Sequence, residues 1–181
     1  MPLSPPIARE HVHTREIECR GYRRQDGLWD IEGHLTDAKT YGFVNRDRGR
    51  VEAGEPVHEM WLRITIDESL LIHDIEAVTD ASPYRMCPDI TPQFQRLKGL
   101  RIGPGWNRSV HQRVGGVEGC THLVELLRPL ATTAFQTLVA ARSRQHERTR
   151  TGRPRWLDTC HAHATASPVV KVRWPEFYTG E

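Results

Sequence analysis

A chain of 181 residues fits one domain with enough length to bury a core, and 38% hydrophobic with 27% charged residues places it among polar globular sequences. Twenty-five Lys and Arg against 23 Asp and Glu leave a net charge of only +2, which excludes the strong basic field of a nucleic-acid binder and any strong pull toward acidic membranes. No apolar run reaches the length of a membrane span, and the first ten residues lack the apolar stretch of a signal peptide, so a cytoplasmic protein with reduced thiols is expected.

Residues 1–10 read as a flexible lead-in. Residues 14–22 alternate, with Ile17 and Cys19 against Glu16, Glu18 and Arg20. Residues 28–35 alternate as well, with Trp29, Ile31, Gly33 and Leu35 on one side. Between them Asp26-Gly27 signals a tight hairpin turn. The polar stretch 37–56 reads as a long connection carrying a functional loop or a short extra element. Residues 57–66 alternate through Met60, Leu62, Ile64 and Ile66, and 70–79 run back after a turn at Asp67-Glu68-Ser69. Two consecutive hairpins in one antiparallel sheet of about four strands are predicted.

The second half is helical. A short helix is predicted over 91–97, stopped by Lys98-Gly99, and a second over 107–114. A long helix is predicted over 121–144, with Leu123, Leu127, Leu130, Ala134, Leu138 and Ala141 as its buried stripe and Thr121 as its N-cap. Pro129 should kink or restart it. Residues 145–181 read as a basic linker and a C-terminal strap. The fold class is α+β: the sheet packed against one long and several short helices, in a single domain over 1–181.

Antiparallel order has a consequence for chemistry. The starts of strands one and three share an end of the sheet with the exits of strands two and four. That end gathers His11, His13, His34, Asp37, His58 and Asp80, and launches the loop carrying Cys87. The opposite end holds the turn with Arg23, Arg24 and Asp26.

Gly119-Cys120-Thr121-His122 joins a glycine-rich turn to the long helix. A thiol and an imidazole at a helix start sit where the macrodipole favours a thiolate, as in reactive or metal-binding cysteines. Cys87, Cys120 and His122 are the candidate metal ligands, with His58 or His163 to complete the set and zinc or iron as the ion. The competing reading makes Cys120 a small buried hydrophobe. The four cysteines, Cys19, Cys87, Cys120 and Cys160, contain no CxxC pair, which argues against a zinc finger or ribbon. Glu125 lies three residues after His122 on the same helical face and pairs with it as an acid/base candidate. His58, Tyr84 and Glu125 are the candidate catalytic residues. Trp106 is the candidate stacking surface for an aromatic substrate, and Arg24 the candidate clamp for its carboxylate or phosphate. Cys160-His161-Ala162-His163 is either a closing element of the site or a local surface feature.

Three runs, Gly21 to Asp37, Pro83 to Pro88 and Gly119 to Leu127, resemble a bacterial family catalogued as domain of unknown function 2889. The resemblance covers most of the chain. It implies no defined activity, only an association with aromatic-compound catabolism. The order of sheet, cysteine loop, short helices and a cysteine–histidine helix start also resembles the iron–sulfur cluster scaffold fold. That resemblance implies metal or cluster ligands at Cys87 and Cys120, with His122 displaced from the usual order. The scaffold's middle cysteine has no counterpart between Asp89 and Gly119.

The leading expectation is a small enzyme, a lyase or hydrolase, acting on a small aromatic molecule by acid/base or metal-assisted chemistry. No nucleotide or flavin motif appears. The alternatives are a metal or iron–sulfur carrier that keeps its site open to a partner, and a structural interaction module. The expected partner is a small-molecule substrate, with no nucleic acid or membrane, and a homo-oligomer is compatible with the sequence.

Overall fold

The computed structural model describes residues 3–148, 152–154 and 156–181. Contacts divide the chain into two compact units, Met1–Arg142 and Ser143–Glu181. The second covers the stretch expected as linker and strap.

In the first unit, β1 (His13–Arg23), β2 (Trp29–Lys39), β5 (Pro56–Ile66) and β6 (Ile72–Ala81) form one antiparallel sheet in the order β1-β2-β5-β6. The connection between β2 and β5 holds its own two-stranded ribbon, β3 (Phe43–Asn45) with β4 (Gly49–Val51), the extra element expected there. Strand period two sorts the side chains. Ile31, Leu35, Met60, Leu62, Ile64 and Ile75 face the core, while Glu32, Arg63 and Glu76 form ion pairs on the open face. The turn into β6 is held by Asp67, which accepts from the Ser69 amide at 2.8 Å, the Leu71 amide at 3.1 Å and His73 at 2.9 Å. These bonds offset the strain of Leu70, a non-glycine residue at φ 66°.

The short helix expected over 91–97 is a 3-10 helix, Cys87–Leu97. Pro88 and Pro92 remove two amide donors, which disfavours an α-helix there. Helix α1 (Trp106–Val114) follows, then α2 (Thr121–Arg148). Thr121 is the first residue of α2, and the Cys120 carbonyl accepts from Val124 at 2.9 Å. Cys120 therefore occupies the capping position expected for Thr121. Pro129 lies within one unbroken helix.

Helix α2 packs its stripe of Leu123, Leu126, Leu127, Leu130, Ala134 and Leu138 into the same core as the sheet, Phe94, Trp106 and Val110. Two glycines set how closely it lies. A Cβ on Gly33 would stand 3.1 Å from Leu130, and one on Gly21 would stand 1.9 Å from the Thr137 hydroxyl. The helix thus runs from the Asp37 end of the sheet toward its first hairpin.

In the second unit, Cys160-His161-Ala162-His163 contains a 3-10 turn over His161–His163. Ser167 caps the short α3 (Pro168–Arg173) by accepting from Val170 at 3.2 Å. Trp174 packs edge-on with His163 and is tilted against Trp156. No described helix is long and apolar enough to cross a membrane.

Candidate functional site: a buried carboxylate shared by arginine and histidines

A row of polar residues crosses three strands on the core-facing side. The registers set Arg15 opposite Asp37 and Asp37 opposite His58. Such neighbours stand about 5 Å apart at Cβ, close enough for direct contact. After Asp37 the register breaks, so that Ala38 pairs with Pro56 and β5 carries one extra residue. This bulge ends the regular ladder beside the row.

Asp37 is 2% exposed and takes four close donors. Arg15 grips it twice, Nε to Oδ1 at 2.8 Å and Nη2 to Oδ2 at 2.6 Å. His13 Nε2 reaches Oδ1 at 3.0 Å, and His58 Nδ1 reaches Oδ2 at 3.1 Å. His122, from the first turn of α2, places Nε2 4.0 Å from the same Oδ2. Its ring stacks on His58 with centroids 3.8 Å apart. Arg15 also pairs with Glu125, so one guanidinium joins a buried carboxylate to a half-exposed one.

The electrostatics follow from burial and neighbours. Burial works against the charge of Asp37, but the hydrogen bonds and positive charge of Arg15 win and hold its carboxyl below the ordinary range. Burial, then the neighbouring His122, pushes the pKa of His58 down. Burial, then Arg15, does the same for His122. Both imidazoles are therefore neutral near pH 7, next to an ionised carboxylate. An open cleft of about 440 Å³ is lined by Arg9, Glu10, His11, Val12 and His13. His13 belongs to both cleft and cluster.

Of the residues singled out from the sequence, the fold brings His58, His122 and Glu125 to this cluster. Cys120 lies at its edge, its sulfur 3.9 Å from His122 Nδ1 and 3.9 Å from the Met60 sulfur. Among the described residues, the one group of three ligand atoms close enough to share an ion is Asp37, His58 and His122. Neither Cys87 nor Cys120 enters it. Cys87 opens the 3-10 helix. Tyr84 is 60% exposed, and its backbone carbonyl accepts from Ser82 and from the Cys87 amide. Trp106 is buried in the core and donates its indole N–H to the Leu127 carbonyl at 3.3 Å. Arg24 pairs with Asp26 and Asp30 at the first hairpin. The eight residue-to-residue steps of β2 from Trp29 to Asp37, at roughly 3.3 Å each, separate that hairpin from Asp37 by about 26 Å.

Sequence reasoning placed Asp37 and His13 at this end of the sheet without assigning them a role, and it passed over Arg15. A signal was present. Asp37 continues the buried phase of Trp29, Ile31, Gly33 and Leu35, and Arg15, on the edge strand, shares the phase of Ile17 and Cys19 that pairs with it. A charged residue in the buried phase of a strand must bring partners with it.

No curated protein and no solved structure matches the chain. A family model described as "Protein of unknown function (DUF2889)" matches residues 13–136, from the first residue of β1 well into α2. With more than half of its length and every residue of the Asp37 cluster inside that match, the chain belongs to the DUF2889 family of proteins of unknown function.

Proposed function

We propose that this chain is a small cytoplasmic lyase that cleaves a carbon–carbon or carbon–oxygen bond in a small aromatic catabolic intermediate, by proton transfer at the Asp37 cluster. One observation carries the reading: a carboxylate 2% exposed orients His58 through Nδ1 while Arg15 links it to a second carboxylate, Glu125. A histidine held at Nδ1 by a buried carboxylate has its ring fixed and Nε2 left to accept a proton. His58 or Glu125 removes a proton from the substrate. The electron pair so freed forms a new double bond as the C–C or C–O bond breaks, and the base that took the proton returns it to the departing atom. Arg15 lies where positive charge steadies a developing oxyanion. The aromatic substrate class rests on the association with aromatic-compound catabolism that the sequence resemblance implies.

The test incubates the protein with a panel of hydroxylated and methoxylated phenolic alcohols and ethers, with products read by mass spectrometry. A lyase gives fragments whose masses sum to the substrate, whereas a hydrolase adds the elements of water. We expect a turnover that His58→Gln lowers by about 100-fold or more. Products carrying added water would assign hydrolysis instead. Unchanged turnover in both His58→Gln and Glu125→Gln would overturn the reading.

A further inference from the structure

We propose that Asp37, His58 and His122 form a binding site for a divalent transition-metal cation, with zinc or ferrous iron as its natural occupant. The proposal deepens the reading of this same site, on which its catalytic meaning rests.

Three elements deliver the three ligand atoms. Asp37 comes from the end of β2, His58 from the start of β5, and His122 from the first turn of α2. The atoms lie within 4.8 Å of one another. Metal–ligand bonds of roughly 2.0–2.2 Å place neighbouring ligand atoms about 3.0–3.5 Å apart. Of the distances from Asp37 Oδ2, the 3.1 Å to His58 Nδ1 falls within that range and the 4.0 Å to His122 Nε2 lies above it, so His122 must move inward on binding. Two imidazoles and one carboxylate suit zinc and non-haem ferrous iron, and they leave coordination positions for water or substrate. The carboxylate is buried, unlike a solvent-exposed acidic cluster.

Arg15 is the competing cation, because it grips both oxygens of Asp37. Its Nε bond to Oδ1 is compatible with a metal on Oδ2, and it orients the carboxylate as supporting partners of metal ligands do. Its Nη2 bond to Oδ2 opposes the metal. The site should therefore bind more weakly than one made from the same ligands without an arginine, and Arg15→Gln should tighten it. That sign separates a metal site from a purely structural cluster, in which losing Arg15 only weakens things.

Occupancy also divides the labour. A His58 nitrogen engaged by the cation leaves Glu125 as the group that moves the proton. The cation supplies a positive centre for the developing oxyanion.

The experiment uses the whole chain, stripped with EDTA, desalted and reloaded with zinc, then separately with cobalt(II) as a spectroscopic probe. We expect about one zinc per chain after desalting, lost in His58→Ala and in His122→Ala, and kept in Cys87→Ser and Cys120→Ser. Circular dichroism reports whether each variant is folded. The cobalt spectrum of the wild type needs no variant. Ligand-field bands without a thiolate-to-cobalt charge-transfer band support a nitrogen and oxygen site, while a thiolate band overturns it in favour of cysteine ligands. Zinc-free wild type after reloading also overturns it. Lyase activity that persists in EDTA in zinc-free protein removes the cation's part in catalysis and keeps the proposed reaction. Stoichiometric metal without lyase turnover removes the reaction and keeps the site.

Discussion

Asp37→Asn preserves shape and deletes one charge, so it weighs the cluster directly. A carboxylate offers about four lone-pair sites, and four donors fill them here: Arg15 Nε, Arg15 Nη2, His13 Nε2 and His58 Nδ1. An amide offers one acceptor oxygen and turns its NH2 toward donors that then have no acceptor. Removing one partner of a buried ion pair costs about 3–5 kcal/mol. A value at or below the lower end applies, because the Arg15 side chain is 32% exposed, keeps its pair with Glu125, and can recover water. We expect a loss of about 2–3 kcal/mol in EDTA, which converts to a fall in Tm of roughly 4–12 °C for a chain of this size. Thermal unfolding followed by circular dichroism in EDTA measures it without any contribution from bound metal. The control is Glu125→Gln, which breaks the exposed half of the same network and should cost about 1 kcal/mol or less. If Asp37→Asn unfolds within about 1 °C of the wild type, or if Glu125→Gln costs as much, then the buried carboxylate does not organise this end of the sheet.

Three further outcomes test other parts of the fold. Gly21→Ala should destabilise by about 1–3 kcal/mol through overpacking, since its Cβ would meet the Thr137 hydroxyl at 1.9 Å; pairing it with Thr137→Ala should recover nothing if the clash is absent and part of the loss if it is present. The bonds from Ser69, His73 and the Leu71 amide outweigh the burial of Asp67 and hold its pKa at about 2. A depressed carboxylate pKa stabilises the folded state above the unfolded value and loses that stabilisation as pH falls through the folded one. Asp67→Asn should thus cost about 1–2 kcal/mol at pH 7, after allowance for partial exposure, with the gap from wild type closing between about pH 5 and pH 2 in acid unfolding curves. Pro129→Ala restores an amide within α2 and should raise Tm, by an amount bounded by the ~3 kcal/mol helix penalty of proline; an unchanged or lower Tm would mean that the surrounding packing depends on the proline.

The fold class was legible because side-chain direction in a strand has period two and in a helix about 3.6. Trp29-Ile31-Gly33-Leu35 and Met60-Leu62-Ile64-Ile66 name the buried face of two strands without any partner being known. Asp26-Gly27 and Asp67-Glu68-Ser69 name their turns, and the leucine stripe from Leu123 to Leu138 names the helix that covers them. Antiparallel order alone then carried His13, Asp37 and His58 to one end of the sheet.

What the sequence could not rank was which polar residues at that end belong together. Local periodicity encodes a face, not the residue opposite. The register, the bulge after Asp37 and the glycines that admit α2 place Arg15, His58 and His122 around a single carboxylate. The same packing puts Cys120 beside Met60 and sets Trp106 into the core. Asp37 looks in the sequence like one more polar residue at the start of a long connection. Only burial against residues 22 positions before it and 21 and 85 positions after it makes it the centre of a site, because such contacts depend on how a helix and three strands close on one another.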